Sequence, residues 1–350
     1  MEIDHLHFYV EDADQWQQWL HHCLGFAAAG ARTAPLAGAD AVLQGAQITL
    51  AVSAPAPHHP GVKAFLQRYA EGVADVAFRV RNLDRVLARA VAAGARVLNP
   101  VQPESSPTVP YRWCRLQGWG SLCHTLLEVP LPLPEAKPHP SSGLPWGCID
   151  HAVLNVPLGE LEPAVTWYEK VLGFQRQQSF AIATPHSGLT SRVLKHPEGS
   201  ATLPINEPTS ANSQVQEFLA HHQGAGIQHA ALQTADLVRT VQRLRQQGVA
   251  FLSVPANYYS QIQQRAGFAA QQMDWAAIAE QQILVDWSPQ TPEARLLQTF
   301  TQPLFQKPTF FLELIERQRY RQATVEGFGE GNFQALFEAI ERQQRQRGSL

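Results

Sequence analysis

Along the chain, apolar residues recur with two periods in a fixed order. A run of about seven alternating apolar and polar positions, the two-residue period of a half-buried strand, leads through a polar stretch into apolar positions three and four apart, the period of an amphipathic helix. This order is met four times, starting near Ile3, Gly72, Ile149 and Gly226, and each helical segment stops at a glycine: Gly25, Gly94, Gly173 or Gly248. A glycine just past a helix end can take the left-handed conformation that closes it. β-like sequence follows each stop, at residues 42–52, 111–129 and 191–205 and, in the last unit, at ILVDW and PTFFLELIER. The pattern predicts a unit of one strand, one helix and about three antiparallel strands, repeated four times.

The units pair into two halves. Residues 3–26 (IDHLHFYVEDADQWQQWLHHCLGF) match residues 149–174 (IDHAVLNVPLGELEPAVTWYEKVLGF) with a register change of two residues, and residues 72–98 match residues 226–252 at a constant offset of 154. Such self-similarity marks internal duplication. The predicted fold class is α+β: two duplicated domains, each of two βαβββ modules forming an open, barrel-like sheet, plus a C-terminal helix. The first domain spans residues 1–129. Prolines at 130, 132, 134, 138, 140 and 145 deny ladder hydrogen bonds and predict an extended linker over 130–147. The second domain spans 148–317. In the tail, 318–350, the glycine-rich GFGEGNF (327–333) acts as a hinge before a helix whose Phe333, Leu336, Phe337 and Ile340 share one face; that face is expected to dock on the second half and close a pocket there.

Composition narrows the partners. With 27 Lys and Arg against 30 Asp and Glu, the formal charge of -3 offers no basic field for nucleic acid or anionic lipid. No apolar run approaches the roughly 18 residues of a membrane span, and the N-terminal Met1-Glu2-Ile3-Asp4 carries acids where a secretory signal needs cations. A cytoplasmic protein acting on a small molecule is expected. Four scattered cysteines, Cys23, Cys114, Cys123 and Cys148, form no C-x-x-C pair and read as reduced thiols. Fourteen histidines against two methionines turn attention to metal chemistry.

Duplication makes a site. When two similar modules pair about a pseudo-twofold axis, equivalent strand positions face each other, so a residue used in both becomes a convergent pair. His151 lies in the first strand of the third module and His229 at the matching place in the fourth. A third, anionic ligand on the same face completes the two-histidine, one-carboxylate triad that binds Fe(II) and leaves three positions open. In PTFFLELIER, alternation puts Phe311, Glu313 and Ile315 on one face and Leu312, Leu314 and Glu316 on the other. A carboxylate among aromatics is costly to bury unless it meets a cation, which selects Glu313. A lone histidine on an apolar strand is ordinarily hydrogen-bonded core; the repeat-related placement of two is what argues for ligands.

The ordered motifs WGCIDHAVLNV, PINEP, GAGIQHAAL, LLQTFTQPLF, PTFFLELIER and GFGEGNF resemble the 4-hydroxyphenylpyruvate dioxygenase family of the vicinal-oxygen-chelate superfamily, over essentially the whole chain. The resemblance implies one Fe(II) per chain on His151, His229 and Glu313, and conversion of 4-hydroxyphenylpyruvate and O2 to homogentisate and CO2. It implies substrate contacts from Ser191, Asn206, Gln214, Gln228 and Gln298, a pocket wall of Phe300, Phe311, Phe328 and Phe333, and Asn332 near the lid. Gln228, Gln298 and Asn332 are the expected catalytic set. Neutral amides suit orientation of a phenol and a keto acid without adding charge, and phenylalanines give a dry wall for a flat ring. Family members are dimers or tetramers.

Departures from the family pattern are Thr190 in place of an Asn, Arg192 beside Ser191, Glu316 where Gln is common, and a longer segment DWSPQTPEARLLQ without the usual glycine. In the first half, His5, Asp75 and Glu128 echo the triad and read as a metal-free relic. The pairs His21-His22, His58-His59 and His221-His222 read as surface histidines. Competing functions are hydroxymandelate synthase on the same substrate, against which Phe300 argues because synthases tend to carry a smaller aliphatic residue there; an extradiol ring-cleaving dioxygenase; and a metal-free binding protein of the same fold.

Overall fold

The computed structural model describes residues 1–29, 36, 38–104, 111–129, 143–184, 187–255, 257–318 and 329–348. Most of the predicted linker, through residue 142, and Phe328 in the predicted pocket wall lie outside the described residues. The first half runs β1 (Glu2–Tyr9), α1 (Ala13–Leu24), β2 (Ala27–Ala28), β3 (Ala41–Gly45), β4 (Ile48–Ser53), α2 (Pro60–Leu66), β5 (Gly72–Val80), α3 (Leu83–Ala92), β6 (Val97–Glu104), β7 (Tyr111–Gln117) and β8 (Cys123–Glu128). The second runs β9 (Trp146–Asn155), α4 (Leu161–Leu172), β10 (Gln175–Ala183), β11 (Gly188–Lys195), β12 (Thr202–Pro208), α5 (Gln214–His222), β13 (Gly226–Thr234), α6 (Leu237–Gln246), α7 (Tyr258–Ile262), α8 (Trp275–Glu280), β14 (Leu284–Ser288), β15 (Thr291–Phe300) and β16 (Phe311–Gln318), followed by α9 (Glu330–Arg347).

Local signals set these boundaries. The side chains of Asp12, Asn82 and Asp236 accept hydrogen bonds from the backbone N–H three residues on, capping α1, α3 and α6 in the same way. Gly25 and Gly173 end α1 and α4 with φ of 67° and 80°, the left-handed conformation that glycine adopts without strain.

Each half forms one eight-stranded sheet, in the orders β2-β3-β4-β1-β5-β8-β7-β6 and β10-β11-β12-β9-β13-β16-β15-β14. The two modules of each half meet at an antiparallel centre, β1 with β5 and β9 with β13, flanked by parallel partners on both sides. Alternation then divides the strands. Ala152 and Leu154 of β9, Leu232 of β13 and Leu312 and Leu314 of β16 enter a core shared with Leu6, Val76 and Leu126 of the first half. Their neighbours His151, His229 and Glu313 face the opposite, concave side. The C-terminal helix docks there as predicted, packing Leu336 and Ile340 against Phe300 and Phe311, and Phe337 against Leu189 and Phe218.

Two expectations are revised. His222 is no surface residue: it is 2% exposed, pairs with Ser121 Oγ at 3.0 Å and stacks on Tyr69 and Phe218, tying the two halves together. Residues 258–280 carry α7 and α8, which the strand–helix rhythm does not foresee. The long segment after them is a tight hairpin pairing Asp286 with Leu296 and Ser288 with Thr291.

Candidate functional site

The register places the ligand candidates in two adjacent rows. His151 on β9 lies beside Ala231 on β13, which lies beside Glu313 on β16; Val153, His229 and Phe311 form the next row. His151 Nε2 is 3.2 Å and His229 Nε2 3.6 Å from the same oxygen, Glu313 Oε2. The three ligand atoms all lie within 4.8 Å of one another, and all three side chains are buried. Two imidazole nitrogens and one carboxylate oxygen converging at this spacing fit a divalent transition metal, with room left for other ligands. The other such grouping among the described residues, Asp40, His58 and His59, is mostly exposed.

The three side chains shift one another's charge. Burial disfavours the cationic form of His151, but Glu313 on one side and Asp150 on the other outweigh it and lift its pKa to about 9. Glu313 responds in the opposite sense: burial would raise it, yet the two histidines bring it down to about 2. His229 is lowered by burial.

The remaining predicted residues divide into a pocket wall and a supporting layer. A cavity is lined by His151, His229, Asn206, Gln214, Gln228, Phe311 and Phe333, together with Val153, Phe180, Ile182, Leu189, Pro204, Leu336, Phe337 and Ile340. Gln298 lies behind the Glu313 carboxylate. Its Nε2 donates to Glu313 Oε1 at 2.8 Å, its Oε1 accepts from Asn332 Nδ2 at 2.7 Å, and Asn332 Oδ1 accepts from Tyr258 OH at 3.0 Å. Glu313 Oε1 is thereby occupied and Oε2 faces the histidines. Ser191 is fully buried, level with Asn206 on β12, and its hydroxyl has no hydrogen-bond partner. Arg192 points the other way, toward Glu162 at 3.0 Å. Phe300 backs the site, its ring edge-on to Phe311 and 6.5 Å from His229.

Sequence reasoning missed Phe180, which stacks on Phe333 at 4.8 Å and fastens the lid helix to β10. The alternation of Phe180 and Ile182 in SFAI was the available signal. It also missed Tyr258, since α7 itself was unforeseen.

The first-half echo needs correction. The register of β5 with β8, Asp75 beside Cys123 and Phe78 beside Leu126, makes Thr125 the counterpart of Glu313. Glu128 instead matches Glu316: each accepts a hydrogen bond from the first N–H of the adjoining helix, at Leu83 and Leu237. Where the second half has Phe300 beside Glu313, the first has Arg115 beside Thr125, and Arg115 Nε lies 3.1 Å from Asp75 Oδ2. Burial would raise the Asp75 pKa, but Arg115, His5 and the hydrogen bonds from Thr125 together outweigh it and hold the carboxylate low.

Known proteins resemble this chain in sequence and fold. The family model described as Glyoxalase/Bleomycin resistance protein/Dioxygenase superfamily matches residues 2–107 and 148–268, one stretch in each half. The chain is 37% identical to 4-hydroxyphenylpyruvate dioxygenase of Caenorhabditis briggsae, covering 99% of this chain and 93% of that protein. It is 36% identical to an uncharacterized Synechocystis protein, over 99% of both. A solved structure of a triple mutant of 4-hydroxymandelate synthase from Streptomyces coelicolor superposes with a TM-score of 0.82 at 28% identity, covering 98% of each chain. The chain is an enzyme of the glyoxalase/bleomycin resistance protein/dioxygenase superfamily and belongs, within it, to the 4-hydroxyphenylpyruvate dioxygenase family.

Proposed function

We propose that the chain converts 4-hydroxyphenylpyruvate and O2 to homogentisate and CO2, using one Fe(II) held by His151, His229 and Glu313. The observation that carries this reading is the buried triad, whose two histidines line a mostly apolar cavity. Bound there, Fe(II) would supply a chelation point for the 2-oxo acid and the redox chemistry for O2. The protein's own part is positional. Gln298 holds Glu313 Oε1, so that Oε2 remains the ligand atom. Phe311, Phe333, Leu336, Phe337 and Ile340 exclude water. Asn206, Gln214 and Gln228 offer neutral polar groups from the wall, and the acceptor Gln214 Oε1 and the hydroxyl of Ser191 are buried without partners. An unpaired buried polar atom costs about 1–3 kcal/mol, a penalty that a hydrogen bond from the substrate would relieve at Gln214, which lines the cavity. We further propose that the enzyme works in the cytoplasm as a dimer or tetramer, which light scattering of the purified protein tests for its assembly.

A second reading is favoured by the likeness to 4-hydroxymandelate synthase: the same substrate oxidised at the side chain. Phe300, packed among Leu252, Leu284, Phe311 and Leu336, supports the ring-hydroxylating branch. Anaerobic loading with Fe(II) and 4-hydroxyphenylpyruvate, followed by O2 and product identification, separates them. Homogentisate supports the first reading, and hydroxymandelate would replace it with the second.

A further inference from the structure

The two histidines of the triad are held by different means. His229 stacks on Phe311, with centroids 4.7 Å apart and 18° between planes, and its Nδ1 is buried without a partner. His151 Nδ1 lies 2.9 Å from Asp150 Oδ1, and Asp150 is gripped by Arg317 through two contacts, Nε to Oδ2 at 2.7 Å and Nη2 to Oδ1 at 2.8 Å. Consecutive strand residues normally point to opposite faces. Asp150 reaches the ring of its neighbour because β9 bulges there: against β13, His151 pairs with Ala231 and Ile149 with Leu232, leaving Asp150 as the extra residue.

The device is duplicated. In β1 the register skips Asp4 between Ile3 and His5, His5 Nδ1 lies 2.9 Å from Asp4 Oδ2, and Arg79 Nη2 lies 2.6 Å from Asp4 Oδ1. There the clamped imidazole is close to no second histidine or carboxylate in a metal-holding group among the described residues, and its Nε2 is buried without a partner. The bulge and its Asp–His pair therefore belong to the repeated fold, whereas the arginine is supplied by β5 in the first half and by β16 in the second; only the second copy faces a ligand set.

We infer that Asp150 and Arg317 are positioning residues for the metal: the bulge-borne carboxylate keeps the His151 proton on Nδ1, and the arginine keeps the carboxylate in place, so that Nε2 is presented as a ligand. Carboxylates that hold a ligating histidine in this way are worth about 10–100-fold in metal affinity. The inference rests on the reading of the triad as a metal centre.

The test is anaerobic titration of metal-free full-length protein with Co(II), read by its visible ligand-field bands. Asp150→Asn is expected to weaken Co(II) binding about 10–100-fold and to shift the bands, Arg317→Gln to weaken it less, and Arg317→Lys to recover part of the loss. Asp4→Asn, in the equivalent clamp of the first half, is the control for a purely structural role and is expected to leave Co(II) affinity and bands unchanged. Wild-type affinity and bands in both Asp150→Asn and Arg317→Gln would overturn the inference, as would an equal loss in Asp4→Asn. Absence of Co(II) uptake by the wild-type protein would overturn the triad reading and this inference with it.

Discussion

Across the centre of the second sheet, successive rows read His151-Ala231-Glu313 and Val153-His229-Phe311. The same rows of the first sheet read His5-Ala77-Thr125 and His7-Asp75-Cys123. Backbone, bulge and Asp–His pair are shared, with an arginine on the carboxylate that comes from β5 in one half and β16 in the other, so the difference in chemistry comes down to a few side chains. Thr125 is too short and neutral to serve as a ligand. Asp75 has Arg115 beside it, a guanidinium supplied by the position that is Phe300 in the other half. A buried carboxylate must meet a cation or be protonated, and the two halves meet that requirement differently, Asp75 with the guanidinium of Arg115 and Glu313 with two imidazoles that could share a metal with it. On the function proposed above, a duplicated fold keeps a scaffold while confining metal chemistry to one copy.

The contrast can be broken at either end. The largest effect is expected from Glu313→Gln, which removes the anionic ligand: turnover should fall by more than about 100-fold, beyond the loss from disturbing a supporting residue, while Glu128→Gln should retain wild-type turnover. Oxygen uptake with the keto acid measures both. Equal losses in the two variants would contradict the register that separates them.

Next in size is Arg115→Leu, which strands Asp75 as an unpaired buried charge and should cost on the order of 3–5 kcal/mol. The double variant Asp75→Leu with Arg115→Leu should recover much of that loss. Urea denaturation of the set decides, and an unaltered midpoint in Arg115→Leu would show that the guanidinium is not the partner Asp75 requires.

A graded effect is expected from pH. Burial lowers His7 to about 3 and His222 to about 4, against an unfolded value near 6.5. The unfolded chain then binds more protons than the folded one between these limits, so stability from neutral burial is complete above about pH 6.5 and declines as pH falls toward 4. His222→Asn should flatten the decline in the urea midpoint between pH 6.5 and 4; an unchanged slope would remove His222 from the account.

The smallest change is expected from Phe333→Ala. The ring is only partly buried, so the stability loss should be about 1 kcal/mol, below the roughly 3–5 kcal/mol of a fully buried Phe. Losing its stack on Phe180 should nevertheless loosen the lid, so that more O2 is consumed than product formed. One-to-one stoichiometry in the variant would argue against a sealing role.

The modules, the glycine stops and the histidine pair were legible because duplication writes each of them more than once, and periodicity alone assigned Glu313 to the concave face. Glu128 was misplaced because strand register depends on which residues pair across β5 and β8, and a three-residue slip is invisible in a single strand. Tyr258 and the buried position of His222 were hidden for a related reason: both depend on contacts between segments far apart in sequence. The Asp-His pair was present twice, as IDH, yet its meaning rests on a bulge that alternation does not predict.

The central claim is that one duplicated half holds a metal and the other an internal cation. It is tested most directly by equilibrium metal titration of the metal-free protein beside His151→Ala and His5→Ala. The account predicts one tightly bound divalent ion per chain, lost in His151→Ala and kept in His5→Ala. Two equivalents in the wild type, or loss of binding in His5→Ala alone, would contradict it.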